Sequence, residues 1–172
     1  MMYIDIGRIA ESKGASRSVK GEVNLAALAC PEFLPLKPAQ VEATVTNVGC
    51  FLHVEGLVWV EYQTECVRCL SPLQLGMSLA LNQDYLTEAQ PELVAESENE
   101  FLPTMGEIIQ LDPVVLETVV AAIPMKHLCR EDCPGFCTRC GRNLKEENCG
   151  CAPDEGHPGL AALARLLPKK EV

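Results

Sequence analysis

The chain has 172 residues, with 24 acidic against 14 basic side chains and a formal net charge of −10 at pH 7. That length can bury one real core with a small appendage, while the acidic balance argues against broad binding to naked nucleic acid, which needs Lys and Arg to displace counterions from phosphate. No uninterrupted apolar run is long enough to span a bilayer, so a soluble protein with no membrane partner is expected.

The first two-thirds of the chain read mainly as strands. Tyr3–Ile6 and Val19–Leu25 are short apolar-polar alternations. Cys30–Pro38 holds three prolines and reads as a loop. Val41–Thr46 alternates and is rich in β-branched residues, Asn47-Val48-Gly49 reads as a turn, and a long strand pattern runs from Phe51 to Thr64 with Gly56 as a candidate bulge. In that strand Val58, Val60 and Tyr62 share one face. Leu73, Leu75, Met77, Leu79 and Leu81 alternate again, so strands over about 41–46, 51–64 and 72–82 should pair antiparallel in sequence order. Trp59, Tyr62 and Tyr85 are expected in the core, Cys30 and Cys50 as small buried residues, and His53 on the solvent side.

No Lys or Arg occurs between Arg68 and Lys126. Within this span, Glu88, Glu92, Glu96 and Glu100 would stack like charges on one helical face, so 87–105 reads as a solvated acidic loop. Asp112-Pro113 reads as N-cap and first position of a helix that runs over 112–123 and is buried against the sheet. Leu160, Leu163 and Leu167 mark one side of a short tail helix. The expected fold is α+β: a mainly antiparallel β-sheet, at its limit curled toward a partly closed barrel, with one covering helix. The body is expected over 1–125, and a cysteine-rich module with the tail helix over 126–172.

Eight of the ten cysteines fall into close groups: Cys66-x2-Cys69 in a strand connection, then Cys129, Cys133, Cys137, Cys140, Cys149 and Cys151 near the C-terminus. Thiolates on tight turns suit a tetrahedral zinc ion. The rival is a disulfide framework, but MMYIDIGRIAESKG has no apolar h-region of a secretory signal, and a reducing cytoplasm would keep the thiols free. Two sites divide the cysteines most simply into Cys66, Cys69, Cys129 and Cys133, and Cys137, Cys140, Cys149 and Cys151. A zinc-ribbon pairing of Cys66 and Cys69 with Cys137 and Cys140 is the alternative. Lys126, Arg130, Arg139, Arg142 and Lys145 make the module locally basic, and Arg139, Arg142 and Lys145 are candidate contacts to RNA or a partner. His127 beside Cys129 could substitute as a ligand, although a surface position is the simpler expectation.

The order ECVRCL (65–70), LDPVVLETVVAAIPM (111–125), LCREDCPGFCTRCGRNL (128–144) and CGC (149–151) resembles the YceD family, the large ribosomal RNA subunit accumulation proteins. The resemblance runs from about Val41 onward and includes the tail LAALARLL. Phe136 stands where relatives often have Leu, Lys145 where they often have Asn, and His157-Pro158-Gly159 where Asp-Pro-Arg is usual. The resemblance implies a cytosolic or organellar factor supporting synthesis, processing or stability of large-subunit ribosomal RNA, with no established enzymatic activity, and a non-catalytic cytoplasmic protein is the expectation. Its partners would be a pre-ribosomal large-subunit particle, ribosomal RNA or a basic ribosomal protein. Two other classes compete from the residues alone. Cys66-x2-Cys69 has the spacing of a thiol redox pair, with Arg68 to lower a thiolate pKa, but lacks the βαβ context such pairs use. A zinc-dependent nuclease would have to work with His53, His127 and His157 and no recognisable acid-base constellation.

Overall fold

The computed structural model describes residues 2–86 and 101–152. The tail helix and most of the acidic loop lie outside the described residues. In chain order the elements are β1 (Tyr3–Asp5), α1 (Gly7–Ala10), β2 (Ser16–Val23), a 3-10 turn (Ala26–Leu28), β3 (Leu34–Pro35), β4 (Ala39–Asn47), β5 (Leu52–Glu65), β6 (Pro72–Leu86), β7 (Leu102–Pro103), β8 (Ile108–Gln110) and α2 (Asp112–Ala122). The main sheet runs β2-β4-β5-β6-β7 and stays open rather than closing into a barrel, with β3 paired to the end of β5. β4, β5 and β6 pair antiparallel in sequence order, as their alternation predicts. β7 is the exception: it joins Tyr85 and Leu86 of β6 in parallel.

The period-2 patterns decide which face each residue takes. Val54, Val58, Val60 and Tyr62 of β5 face inward with Val41, Ala43 and Val45 of β4. Trp59 therefore points the other way, 37 % exposed on the outer face, which corrects its expected place in the core; Tyr62 and Tyr85 are buried as expected. Gly56 is not a bulge, because the register runs unbroken through Ala43, Gly56 and Leu81. A Cβ there would collide with the Glu42 carbonyl oxygen and lie 2.8 Å from Ala43 Cα. Close strand approach, not a ladder defect, is what requires glycine.

The inner face is covered by α2 and by a second small sheet in which β1 pairs antiparallel with β8. Ile4, Ile6, Ile109, Leu111, Val115 and Val119 are at most 1 % exposed. Asp112 does not cap its own helix, whose N-cap is Leu111. Its carboxylate instead accepts the Met2 N–H at 3.1 and 3.2 Å, fixing the start of β1 over the helix. Burial of α2 is one-sided, since Val120 is 53 % exposed. Asn47 secures the β4–β5 turn: its side-chain amide donates to the Ile9 and Ala10 carbonyls that end α1, and its Oδ1 accepts the Gly49 N–H. The Cys30–Pro38 loop is more ordered than its prolines suggest, carrying β3 and a fully buried Phe33 stacked 4.7 Å from Tyr62. Cys30 and Cys50 are exposed at turns, not buried.

Gly56→Ala should lower stability by about 1–3 kcal/mol, the cost of overpacking a site whose neighbours are backbone. Chemical denaturation measures it, and an unchanged midpoint would show that β4 and β5 can separate there.

Candidate metal centre

Two hairpin knuckles carry the Cys-x2-Cys pairs, and they are built alike. In the first, between β5 and β6, the Leu70 N–H donates to Cys66 C=O at 2.8 Å and the Cys66 N–H to Ser71 C=O at 2.9 Å. In the second, the Gly141 N–H donates to Cys137 C=O at 2.9 Å and the Cys137 N–H to Arg142 C=O at 2.8 Å. The flanking pairs correspond too: Glu65 faces Pro72 as Phe136 faces Asn143. Each knuckle turns through a left-handed residue after its second cysteine, Gly141 at φ 72° and Leu70 at φ 55°. Glycine adopts that conformation freely, whereas leucine is strained in it.

Each knuckle meets a second cysteine pair. Cys66, Cys69, Cys129 and Cys133 form one group, and Cys137, Cys140, Cys149 and Cys151 the other, with all sulfurs of a group within 4.8 Å of one another. The zinc-ribbon pairing of the two knuckles with each other is thereby set aside. Cys66 and Cys133 Sγ are 3.8 Å apart, as are Cys69 and Cys129 Sγ. That is too long for a disulfide and matches the roughly 3.8 Å edge of a tetrahedron with metal–sulfur bonds of about 2.3 Å. Both groups can hold a metal ion with four thiolates.

The thiols are tuned for ligation. Burial works to raise the Cys66 pKa, but backbone N–H groups of Cys129, Arg68 and Cys69 overcome it and bring it to about 6. Ser71, whose Oγ lies 3.2 Å from Cys69 Sγ, lowers Cys69. Burial, with the three neighbouring sulfurs, raises Cys129 to about 12. In the second group the Cys140 and Arg139 backbone N–H groups bring Cys137 to about 6, while the Cys149 and Cys140 thiols push Cys151 to about 12. Each group thus mixes a ready thiolate with a thiol that keeps its proton until a cation displaces it.

The groups differ in depth. Cys66, Cys69 and Cys133 are 0–3 % exposed and sit in their own apolar cluster with Leu73 and Leu128, whereas Cys140 and Cys151 are exposed. The first group also ties the module to the sheet. The Arg68 guanidinium donates to the Cys133 C=O at 2.9 Å and the Glu131 C=O at 3.3 Å, so it binds backbone rather than a thiolate. Gly135, at φ 68°, passes so near that a Cβ would lie 2.9 Å from the Arg68 oxygen. His127 is neither a ligand of these groups nor a surface residue. It is 5 % exposed, with Nε2 3.1 Å from the Tyr62 hydroxyl and its carbonyl accepting the Val67 N–H.

The basic candidates lie around the second group and are exposed. Arg142 pairs with Glu147 at 3.3 Å, and Arg130 with Asp132 at 3.3 Å, so the module is less basic than the cysteine-flanking residues suggest. Arg139 and Lys145 make no ion pair among the described residues. His53, on the outer sheet face as expected, pairs with Asp84 at 2.6 Å.

Two metal ions per chain are expected by elemental analysis. Cys133→Ser and Cys151→Ser should each remove one, but only Cys133→Ser should also lower the unfolding midpoint of the sheet, because its group sits between sheet and module. Equal destabilisation by both variants would contradict this hierarchy. Leu70→Gly should stabilise the chain by about 0.5–1 kcal/mol, since the relief of left-handed strain exceeds the added freedom of the unfolded glycine and the side chain is 59 % exposed; thermal unfolding of the metal-loaded protein reads it.

Comparison with known proteins gives the chain its relatives. An uncharacterised protein of Mycobacterium bovis is 27 % identical over 169 residues, 96 % of this chain and 81 % of its own length, and one of Mycobacterium tuberculosis matches equally. An uncharacterised Mycobacterium leprae protein is 29 % identical over 130 residues, 76 % of this chain and 59 % of its own. No solved structure matches. Residues 54–167, which include both knuckles and all eight clustered cysteines, match the family described as large ribosomal RNA subunit accumulation protein YceD, and the chain belongs to that family.

Proposed function

We propose that the protein is a non-catalytic ribosome biogenesis factor with two structural zinc ions, supporting synthesis, processing or stability of large-subunit ribosomal RNA in the cytoplasm. The observation that carries this reading is the pair of four-thiol groups in a member of a ribosomal RNA accumulation family. All-sulfur donor sets with knuckle spacing select zinc over harder cations. Four thiolates complete its tetrahedron and leave no position for a water or substrate, so the ion's work is to hold chain segments together. The same geometry weakens both rivals. A redox pair needs two thiols free to close on each other, whereas Cys66 and Cys69 share their place with Cys129 and Cys133. A zinc nuclease needs an open coordination position, which a four-thiolate set does not offer.

The second knuckle carries Arg139 and Lys145 on an exposed loop that can meet RNA phosphates within a pre-ribosomal large-subunit particle, while the acidic body suits a basic ribosomal protein. Among the described residues no helix is long and apolar enough to cross a membrane, which fits such a partner.

Depleting the protein should lower large-subunit relative to small-subunit ribosomal RNA, with rescue by the wild-type chain and not by Cys133→Ser. Reversing Arg139 and Lys145 to Glu should weaken particle binding most at low salt and reduce the steepness of its salt dependence by about two charges. Purified zinc-loaded protein that cuts precursor RNA at a defined position, and loses this on one side-chain change, would overturn the non-catalytic reading.

A further inference from the structure

Strand β6 forms the margin of the main sheet over most of its length. β5 pairs one side of it from Pro72 to Tyr85, while β7 pairs the other side only at Tyr85 and Leu86. Among the described residues, no backbone group bonds to that second side between Leu73 and Asn82. Exposed edges of this length are normally guarded by charged residues, proline or a bulge, because their free N–H and C=O groups recruit other strands. LQLGMSLALN (73–82) has none of these: it carries no charge and no proline, and its register with β5 is unbroken.

The two faces beside this edge are chemically distinct. On the inner side, Leu75, Met77 and Leu79 are half-buried at the rim of the core. On the outer side, Gly76, Ser78 and Ala80 are small and exposed, and behind them on β5 stand Glu61, Trp59 and Leu57 as their direct partners, with Glu55 behind Asn82. Trp59 and Leu57 are 37 % and 45 % exposed. A strand added to β6 would lie about 10 Å from β5. Glu61 already pairs with Lys37 at 2.8 Å, whereas Glu55 makes no ion pair among the described residues. The outward side chains of the added strand would therefore have to be long to gain contact, and positive to suit Glu55 and the face of the Trp59 ring. Its inward side chains would have to be apolar.

We propose that the β6 edge receives an extended segment of a basic partner protein as a further strand. Alternate apolar residues pack on Leu75, Met77 and Leu79, and the interleaved Arg or Lys side chains lie across Ser78, Ala80 and Asn82 to Trp59 and Glu55. Main-chain hydrogen bonds supply affinity, and the alternation supplies specificity. A second copy of this chain fits poorly, since it carries the same net charge of −10 and an uncharged edge with nothing to meet Glu55. The chain's own segment after β6 has the wrong sign, with Glu88, Glu92, Glu96, Glu98 and Glu100. The proposal deepens the function above by giving the chemistry of one partner, and it needs neither RNA contact nor metal chemistry.

The test titrates the full metal-loaded chain with a short synthetic peptide that alternates Leu or Val with Arg. Trp59 is the only tryptophan, so its fluorescence reports directly on the outer face. Saturable binding is expected, with amide exchange over 73–82 slowed about tenfold or more. A peptide of the same composition with its alternation shuffled, and one with Glu in place of Arg, should each bind about tenfold more weakly or worse. Met77→Lys, checked for an unchanged circular dichroism spectrum and unfolding midpoint, should weaken binding as much; Ser78→Glu, on the other face, should preserve it or strengthen it. Three results would each overturn the proposal: equal binding of the shuffled peptide, edge amides already protected in the free chain, or a dimer that Met77→Lys dissociates. Ribosomal RNA levels on depletion test the assembly-factor reading separately, so the two can fail independently.

Discussion

Four sulfur atoms drawn from two stretches of chain about sixty residues apart are the constraint on which the arrangement depends: Cys69 and Cys129, like Cys66 and Cys133, are brought to 3.8 Å across that separation. A module of this composition has little apolar mass of its own. Among the described residues its buried side chains after His127 are few, and those it has gather around the thiols, with Leu73 and Leu128 completing the cluster. Metal coordination can replace the hydrophobic core that so short a segment cannot build. The hydrogen bonds from Arg68 to the Cys133 and Glu131 carbonyls, and the close passage of Gly135, are consequences of that closure. They make the knuckle at the end of β5 a shared component of sheet and module.

The likeness of the two knuckles separates what the metal demands from what the surroundings demand. Backbone hydrogen bonds, flanking pairs and the left-handed fifth residue recur at a constant offset along the chain, so they belong to the turn that aims two sulfurs at one point. Burial does not recur: the first group is enclosed by the sheet while the second is open to solvent. One turn therefore serves two purposes. In the interior it anchors the fold, and at the surface it presents a loop with Arg139 and Lys145 held at fixed spacing.

Much of this was legible in the residues, for reasons that also mark the limits. The β4–β5–β6 meander could be read because alternation has a strict period of two, and one-sided burial fixes the register. The same parity, applied to Val58, Val60 and Tyr62, already placed Trp59 on the opposite face; the habit of assigning tryptophan to cores hid this. Leu70 could have been read as left-handed by setting Cys66-x2-Cys69-Leu70 beside Cys137-x2-Cys140-Gly141. The partition of the cysteines was open between two pairings, because spacing constrains neighbours within a turn and says nothing of which turns meet. His127 and Asp112 were not legible. Their partners, the Tyr62 hydroxyl and the Met2 N–H, are distant in sequence and come together only through the fold.

The two faces of the main sheet now carry different obligations. The inner face is settled by α2 and the β1–β8 pair, which bury its aliphatic rows. The outer face is polar toward β2, where Lys20 meets Glu42 at 2.6 Å and Ser18 meets Thr44 at 2.9 Å, and turns apolar and acidic toward β6, where Trp59 and Leu57 stand among small side chains. Cross-strand pairs that satisfy one another make a finished surface on the β2 side. On the β6 side His53 meets Asp84 at 2.6 Å and Lys37 meets Glu61 at 2.8 Å. Glu55, Leu57 and Trp59, however, stand between these pairs with no such partner among the described residues, and the edge over 73–82 lacks the guards that keep strands apart. If the protein works among basic, RNA-binding partners as proposed, this division gives it selectivity: a net charge of −10 discourages bare phosphate while attracting cationic segments. The proposed use of the unguarded edge would then narrow those segments to the ones that can also extend as a strand.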